Sequence, residues 1–103
     1  GQLAVQSGEK CGERVWHFPH GEDFIEDLKS EVADIQQCSR QANADHILAA
    51  TFLSQFIEKG PKWLHIDLSA DTNSGGLGII GSTATGFGVR LVNEMIKNLK
   101  GDK

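Results

Sequence analysis

A glycine-rich stretch in the last third of the chain carries the pattern most suggestive of ligand chemistry. The sequence Gly76-Leu77-Gly78-Ile79-Ile80-Gly81 matches G-x-G-x-x-G and precedes a helical pattern. A dinucleotide site needs a strand directly before the first glycine and an acidic residue about 20 residues further on to bind the ribose. Here the preceding predicted strand ends at Leu68, and residue 101 is a glycine. A mobile loop or lid is therefore the favoured interpretation, and nucleotide binding is the alternative.

The segment Thr85-Gly86-Phe87-Gly88 offers a second kind of site, because it precedes the last predicted helix. Free backbone N–H groups at the start of a helix bind anions. The alternative, which we favour, is that Thr85 caps the helix and that the two glycines permit close packing against a sheet.

His65 and Asp67 lie two residues apart on a predicted strand, so both side chains point to one face and could ligate a metal. Further ligands at a recognisable spacing are missing, and His17 and His20 do not complete the set. A buried His–Asp hydrogen-bonding pair that anchors neighbouring loops is the favoured interpretation.

Nucleophilic chemistry has weaker support. Ser69 follows a predicted strand but lacks the glycine-flanked turn of a nucleophile elbow. Cys38, Ser39 and His46 are close in sequence, which does not establish a catalytic geometry. The sequence therefore predicts no catalytic residue in this chain.

The elements that would position these residues follow from hydrophobic periodicity. Apolar residues at helical spacing predict helices over 22–30, 44–59 and 85–99, and the end of a helix over 3–7 that Gly8 closes. Asn43 is the expected N-cap of the long helix, and Gly60-Pro61 its end. Residues 32–37 either continue the preceding helix or form a separate turn. Alternation predicts strands over 14–18 and 63–68.

This order predicts an α/β fold in which a partial mixed sheet of two strands is covered by three or more helices. Two strands without further sheet are marginal in water. The mainly apolar second strand also needs cover on both faces. We therefore expect the chain to depend on a sheet that it does not itself contain.

Bulk properties limit the class of protein further. A chain of 103 residues forms one domain at most, or a piece of one. The net charge of −4 argues against binding of nucleic acid or an anionic membrane. Cys11 and Cys38 lack metal-type spacing and no apolar run spans a membrane, which indicates reduced thiols in the cytosol, with a disulfide as the alternative. The first residue is Gly1 rather than Met, which is typical of a piece of a longer protein.

Five segments of the chain follow one another in a characteristic order and spacing. They are Ser7-Gly8-Glu9-Lys10-Cys11-Gly12-Glu13-Arg14-Val15-Trp16 with Pro19, Lys29-Ser30-Glu31-Val32-Ala33-Asp34, Ala49-Ala50-Thr51-Phe52-Leu53-Ser54-Gln55-Phe56, Trp63-Leu64-His65-Ile66-Asp67 and Ala84-Thr85-Gly86-Phe87-Gly88-Val89-Arg90. Together they resemble the C-terminal part of the leucyl (cytosol) aminopeptidase family, the binuclear-metal peptidases, over nearly the whole chain.

The resemblance implies release of N-terminal residues from peptides, with two divalent cations (manganese, zinc or magnesium) and a bridging water as nucleophile. The family's metal ligands and its assisting lysine and arginine lie upstream, in a motif Asn-Thr-Asp-Ala-Glu-Gly-Arg that is absent here. No catalytic or metal-binding residue is therefore carried over. The loop after the late strand lines the pocket for the first side chain of the substrate, and it maps to Ser69, Ala70 and Thr72.

Two departures from the family pattern leave open a divergent or inactive relative. The family usually has Ala-Gly after the late strand, where this chain has Ser69-Ala70. A glycine-rich stretch before the long helix is replaced by Ser39-Arg40-Gln41-Ala42-Asn43, which could alter a subunit contact or a pocket wall.

We therefore expect residues 1–103 to form a single C-terminal segment of a larger α/β aminopeptidase catalytic domain. The segment would supply scaffold and one pocket wall, bind no metal and hydrolyse no peptide by itself. Its expected partners are the upstream remainder of the domain, the peptide substrate and the other subunits of a cytoplasmic hexamer, with no nucleic acid or membrane. The alternatives are a non-catalytic interaction module derived from that fold and a small anion or nucleotide binder that uses residues 76–81.

Overall fold

The computed structural model describes residues 1–38 and 43–101, with side chains described as far as Leu99. These ranges contain three α-helices, α1 (Gln2–Cys11), α2 (Asp45–Ser54) and α3 (Val89–Gly101), and a 3₁₀ helix over Glu22–Leu28. The first four residues of the substituted stretch, including Ser39, lie outside them. No helix in the two ranges is both long and apolar enough to cross a membrane. Cys11 and Cys38, both described, are not joined by a disulfide.

The two predicted strands and the partial sheet are wrong for this chain. Neither 14–18 nor 63–68 is a strand, and antiparallel pairing within the described ranges is limited to two isolated bridges, Thr72 with Ala84 and Leu77 with Ile80. A strand exists only where a neighbouring backbone supplies hydrogen bonds. Alternating hydrophobicity reports a preference for a half-buried face and does not show that the neighbour is present.

The first helix continues beyond its predicted end at Gly8. Helix α1 ends at Cys11, and Gly12 adopts the left-handed conformation (φ 75°) that terminates many helices. Gly8 is instead buried inside the helix, where a Cβ would lie 2.5 Å from the backbone oxygen of Glu13. Close approach of the returning chain, rather than helix termination, is therefore what requires a glycine at this position.

Two compact units divide the chain, and the first comprises Gly1–His17 together with the described residues from Ile66 onward. Helices α1 and α3 pack against each other in this unit. The Asn98 side-chain amide donates to Ser7 Oγ at 3.0 Å, and the Lys10 ammonium donates to Asn98 Oδ1 at 3.3 Å. Leu91, on α3, has no exposed surface and is the largest fully buried side chain described.

The second unit is Phe18–His65, in which the 3₁₀ helix packs against α2. Leu28 and Leu48 are its buried apolar side chains. The predicted helix over 22–30 is thus shorter and of the tighter 3₁₀ type. Residues 32–37 form a separate turn, because Ser30 Oγ accepts the N–H groups of Val32 and Ala33. The N–H of Gln36 then donates to the Leu28 carbonyl at 2.8 Å.

Helix α2 differs from its prediction at both ends. Ala44, not Asn43, occupies the N-cap position in a left-handed conformation (φ 56°) without a side-chain cap. The helix stops at Ser54 instead of Lys59, and the next N–H groups bond to carbonyls three residues earlier. Phe56 is 64% exposed, so the predicted apolar face gains too little burial to extend the α-helix to Gly60-Pro61.

Helix α3 begins four residues later than predicted and includes Gly101 instead of ending before it. The late start has a local cause, because Gly88 has a φ of 97°, which no α-helical residue adopts.

Candidate functional site

The carboxylate of Glu13 is a buried polar site that accepts three hydrogen bonds from the segment at the start of α3. Its Oε2 accepts the N–H groups of Gly88 at 3.0 Å and Leu91 at 2.9 Å. Its Oε1 accepts the Arg90 Nε–H at 3.0 Å. Glu13 retains only 2% of its accessible surface. A buried carboxylate therefore caps the first turn of α3 and pairs with an arginine on the same helix.

The end of α1 and the start of α3 explain why Glu13 makes this contact. Helix α1 ends at Cys11 and Gly12 turns the chain, so Glu13 is the first residue after the cap. The first N–H groups of α3 have no partner within the helix, and the positive end of the helix dipole favours a negative charge there. Within the segment 85–88, one N–H group, that of Gly88, donates to an anion, and that anion is the chain's own Glu13 side chain. The Thr85 and Phe87 N–H groups donate to other partners.

The surroundings of Glu13 act on its acidity in opposite directions. Burial by itself raises the pKa of the carboxyl. The hydrogen bonds from the Leu91 N–H, the Arg90 guanidinium and the Gly88 N–H, with the positive charge of Arg90, outweigh burial and lower the pKa below its ordinary value of 4.5. The ionised form is therefore the one that the folded chain stabilises.

Protonation of Glu13 at acid pH should lower the stability of the first unit. Because the folded pKa of Glu13 is lowered, its contribution to stability is complete above the unfolded value near 4.5 and is lost as pH falls through the folded value. We expect the urea midpoint, followed by helix ellipticity, to fall between pH 6 and pH 3. Glu13→Gln should start from a lower midpoint and fall less over the same range. An equal fall of the urea midpoint in the wild type and in Glu13→Gln would contradict a stabilising role of the ionised Glu13 carboxylate.

Thr85 joins the segment before α3 to the segment after the second predicted strand. Its Oγ1 donates to the Ala70 or Asp71 carbonyl and accepts the Phe87 N–H at 3.2 Å. Its backbone N–H donates to the Asp71 carbonyl at 2.9 Å. Thr85 is 7% exposed. The prediction that Thr85 caps α3 is therefore wrong, since its hydroxyl closes the preceding turn and holds residues 70–71.

The three residues predicted to line a substrate pocket lie on this held segment. Ser69 and Thr72 are exposed, and Ala70 is half-buried. Thr72 pairs with Ala84, the Ala70 carbonyl lies on the Thr85 hydroxyl, and the Asn73 N–H donates to the Thr83 carbonyl at 2.9 Å. The backbone of 70–73 is thus fixed along 83–85. The exposed Ser69 and Thr72 side chains remain accessible.

The G-x-G-x-x-G stretch forms a tight turn. Leu77 and Ile80 exchange backbone hydrogen bonds of 2.8 and 3.1 Å, and the Gly76 N–H donates to the Asn73 carbonyl at 2.9 Å. Helix α3 begins eight residues after Gly81. The glycines therefore do not open a helix, as a pyrophosphate-binding loop must.

The structure does not bring the candidate metal-binding and nucleophilic side chains together into one site. No group of three or more His, Cys, Asp or Glu side chains within 1–38 and 43–101 is arranged to hold a metal ion. His65 is half-buried, and its Nε2 has no hydrogen-bond partner among the described residues. Asp67 is exposed, so the prediction that these two side chains form a buried pair is wrong. Ser69, Cys38 and His46 are exposed, and the His46 ring lies 5.6 Å from the Phe18 ring.

Sequence reasoning missed Glu13 as a site residue. Its partners Gly88, Arg90 and Leu91 are 75 to 78 residues away in the chain. Two of the hydrogen bonds that it accepts come from backbone N–H groups, which the identity of a residue does not reveal. The only available signal was its place beside Arg14 and Trp16 in the first of the five segments.

Comparison with known proteins gives a consistent family match. The model of the cytosol aminopeptidase family, catalytic domain, matches residues 2–93. A probable cytosol aminopeptidase of Chlorobium limicola is 40% identical over 92 residues, which is 89% of this chain and 18% of that protein. A probable cytosol aminopeptidase of Phytoplasma mali is 38% identical over 95 residues, 91% of this chain and 19% of that protein.

A third relative is covered over a similar share of its length. The cytosol aminopeptidase of Encephalitozoon cuniculi is 36% identical over 100 residues, covering 95% of this chain and 20% of that protein. The chain therefore spans 18–20% of the length of these curated relatives. No solved structure matches it.

Proposed function

Because the chain belongs to the cytosol aminopeptidase family, we propose that it is the C-terminal segment of a metal-dependent leucyl-type aminopeptidase, an enzyme that releases N-terminal residues from peptides. The segment supplies scaffold and one wall of the specificity pocket, without the metal ligands. The observation that carries this proposal is the family match over residues 2–93, within the catalytic domain. The fraction of each relative that the chain covers supports the role of a segment.

Exposed apolar side chains support a partner for this segment. Helix α3 buries one face against α1 and presents a second apolar stripe to solvent, formed by Val89, Val92, Ile96 and Leu99, each 45–72% exposed. Trp16, in the first predicted strand, is 83% exposed. Apolar stripes of this kind on a helix normally lie against another element. The upstream remainder of the catalytic domain is the partner that we propose for them.

The residues that the structure describes do not fit the family's two divalent cations, whether manganese, zinc or magnesium. The described residues form no cluster of three possible ligands, and the family's acidic motif is absent from the sequence. We therefore place the cations and the water that they activate on the upstream part. The complete enzyme is proposed to be a cytoplasmic hexamer that acts on peptides.

Ser69, Ala70 and Thr72 are the residues proposed to contact the first side chain of the substrate. Their backbone is held by Thr85 and Ala84, while the Ser69 and Thr72 side chains are exposed. A rigid backbone with accessible side chains suits a pocket wall, because positions fixed by supporting hydrogen bonds discriminate better between ligands.

Adding the upstream part tests this function. We expect a mixture of this chain with the upstream remainder, which carries the acidic motif, to hydrolyse leucine anilide in the presence of manganese. The upstream part alone should be much less active, because its apolar surfaces lack cover. The Leu91→Ala chain serves as a control in which the segment itself is weakened. Equal activity of the upstream part with and without this chain would contradict the proposal.

A further inference from the structure

Two polar contacts join distant parts of the first unit. One is the Glu13 carboxylate on the N–H groups of Gly88 and Leu91. The other is the Thr85 hydroxyl on the carbonyls of Ala70 and Asp71. Only Gly86 and Phe87 separate Thr85 from Gly88 along the chain.

We propose that Glu13 and Thr85 are positioning residues for the loop Ser69–Thr72. This inference rests on the proposed function, in which that loop is a wall of the specificity pocket. Glu13 fixes the first turn of α3, and Thr85 transmits this fixed position to the loop backbone. Neither side chain contacts the substrate, and both act through the placement of Ser69, Ala70 and Thr72.

Packing at Gly88 supports the same coupling. A Cβ on Gly88 would lie 3.2 Å from Leu68 Cδ1, so the backbone at the start of α3 lies directly against the residue that precedes Ser69. Gly88 is also buried. The loop is therefore held at its beginning by contact with Gly88, in its middle by Thr85, and after it by the Asn73 N–H on the Thr83 carbonyl.

The charge of Glu13 gives the coupling its strength. Hydrogen bonds to an ionised acceptor are about twice as strong as those between neutral groups. A neutral amide at position 13 keeps one acceptor oxygen but turns an NH₂ group toward donors, so it cannot satisfy all three partners. Glu13→Gln should therefore loosen the loop although residue 13 lies 57 positions before Ala70 in the sequence.

Hydrogen exchange of this chain, read by mass spectrometry over peptides covering 70–76 and 82–88, tests the coupling without any need for activity. Thr85→Val should raise exchange of the Asn73 and Thr85 amides about threefold to tenfold, the range expected for one lost hydrogen bond. Thr85→Ser, which keeps the hydroxyl, should restore wild-type exchange. Glu13→Gln should raise exchange at the same amides. The matched control is Thr83→Val, since Thr83 contributes only its backbone carbonyl.

Two exchange results would overturn the inference. One is equal exchange in Thr85→Val and Thr83→Val. The other is a wild-type Asn73 amide that exchanges without protection, because then nothing holds the loop.

Kinetics of the assembled enzyme test the positioning role of Thr85 separately from the proposed aminopeptidase function. With leucine and alanine anilides, Thr85→Val should raise KM for the leucine substrate about threefold to tenfold and leave kcat within about twofold, since a pocket wall acts on binding. Thr85→Ser should match the wild type. An unchanged KM in Thr85→Val would overturn the role in positioning. If the wild-type assembly hydrolyses neither anilide, the proposed function fails, and exchange alone decides whether Glu13 and Thr85 hold the loop.

Discussion

Replacing Glu13 by alanine is expected to lower the free energy of unfolding of the first unit by about 2–4 kcal/mol. The substitution removes the acceptor of two backbone N–H groups and of Arg90 Nε. The N–H groups of Gly88 and Leu91 then lie beside a cavity left by a side chain that was 2% exposed. Desolvated donors without partners carry a larger cost than the net value of the bonds themselves. The urea midpoint, followed by helix ellipticity, measures the loss.

Glu9→Ala is the matched control for this substitution. Glu9 is an exposed glutamate on α1, four residues before Glu13, and it should change the free energy of unfolding by less than about 0.5 kcal/mol. Equal midpoints for Glu13→Ala and Glu9→Ala would contradict the role of the buried carboxylate in capping α3.

Leu91→Ala is expected to lower the free energy of unfolding by about 2–5 kcal/mol, the usual range for a buried leucine. Leu91 has no exposed surface, and it belongs to the helix that packs against α1. Truncation removes apolar contacts and leaves a cavity that neighbouring side chains fill only in part. Denaturant unfolding, or the melting temperature from calorimetry, would show the loss.

The same substitution at Leu99 is the control, since this residue belongs to the same helix and is 54% exposed. In the isolated chain Leu99→Ala should cost less than about 1 kcal/mol. In the assembled enzyme the cost should grow, because we propose that the remainder of the catalytic domain covers this stripe. A Leu99→Ala cost equal to that of Leu91→Ala in the isolated chain would contradict the observed packing of α3.

Hydrophobic periodicity predicts the positions of α2 and α3 well and their ends poorly. The apolar spacing placed α2 and α3 in the correct segments, because it reports which face is buried. Their ends depend on single residues whose backbone angles the pattern does not encode. Gly88 (φ 97°) delays α3, and Ala44 (φ 56°) begins α2 without a side-chain cap. The prediction that Gly8 ends a helix is wrong because close packing, as at Gly8, and a left-handed conformation, as at Gly12, both favour glycine.

The two strand predictions are wrong for a different reason. Residues 14–18 and 63–68 have strand-like alternation, but pairing is a property of two segments, and neither segment is a strand in this structure. Such a sheet would need strands from outside this chain, and that dependence stays a prediction.

The candidate site was also predictable only in part from the sequence. The family was found from five short segments in register, and the comparisons confirm that match. The assignment of Ser69, Ala70 and Thr72 to a pocket stays a prediction. Glu13 could not have been found from spacing, because backbone donors 75 and 78 residues away determine its role.

Hydrolysis of leucine anilide by the purified 103-residue chain alone, with added manganese or zinc, tests the central claim most directly. Rates would be normalised to chain concentration and repeated with a chelator. We predict no chelator-sensitive turnover, because the described residues hold no cluster of metal ligands and the acidic motif is absent from the sequence. Robust turnover that the chelator abolishes would contradict the claim that this segment supplies scaffold and a pocket wall without the metal site.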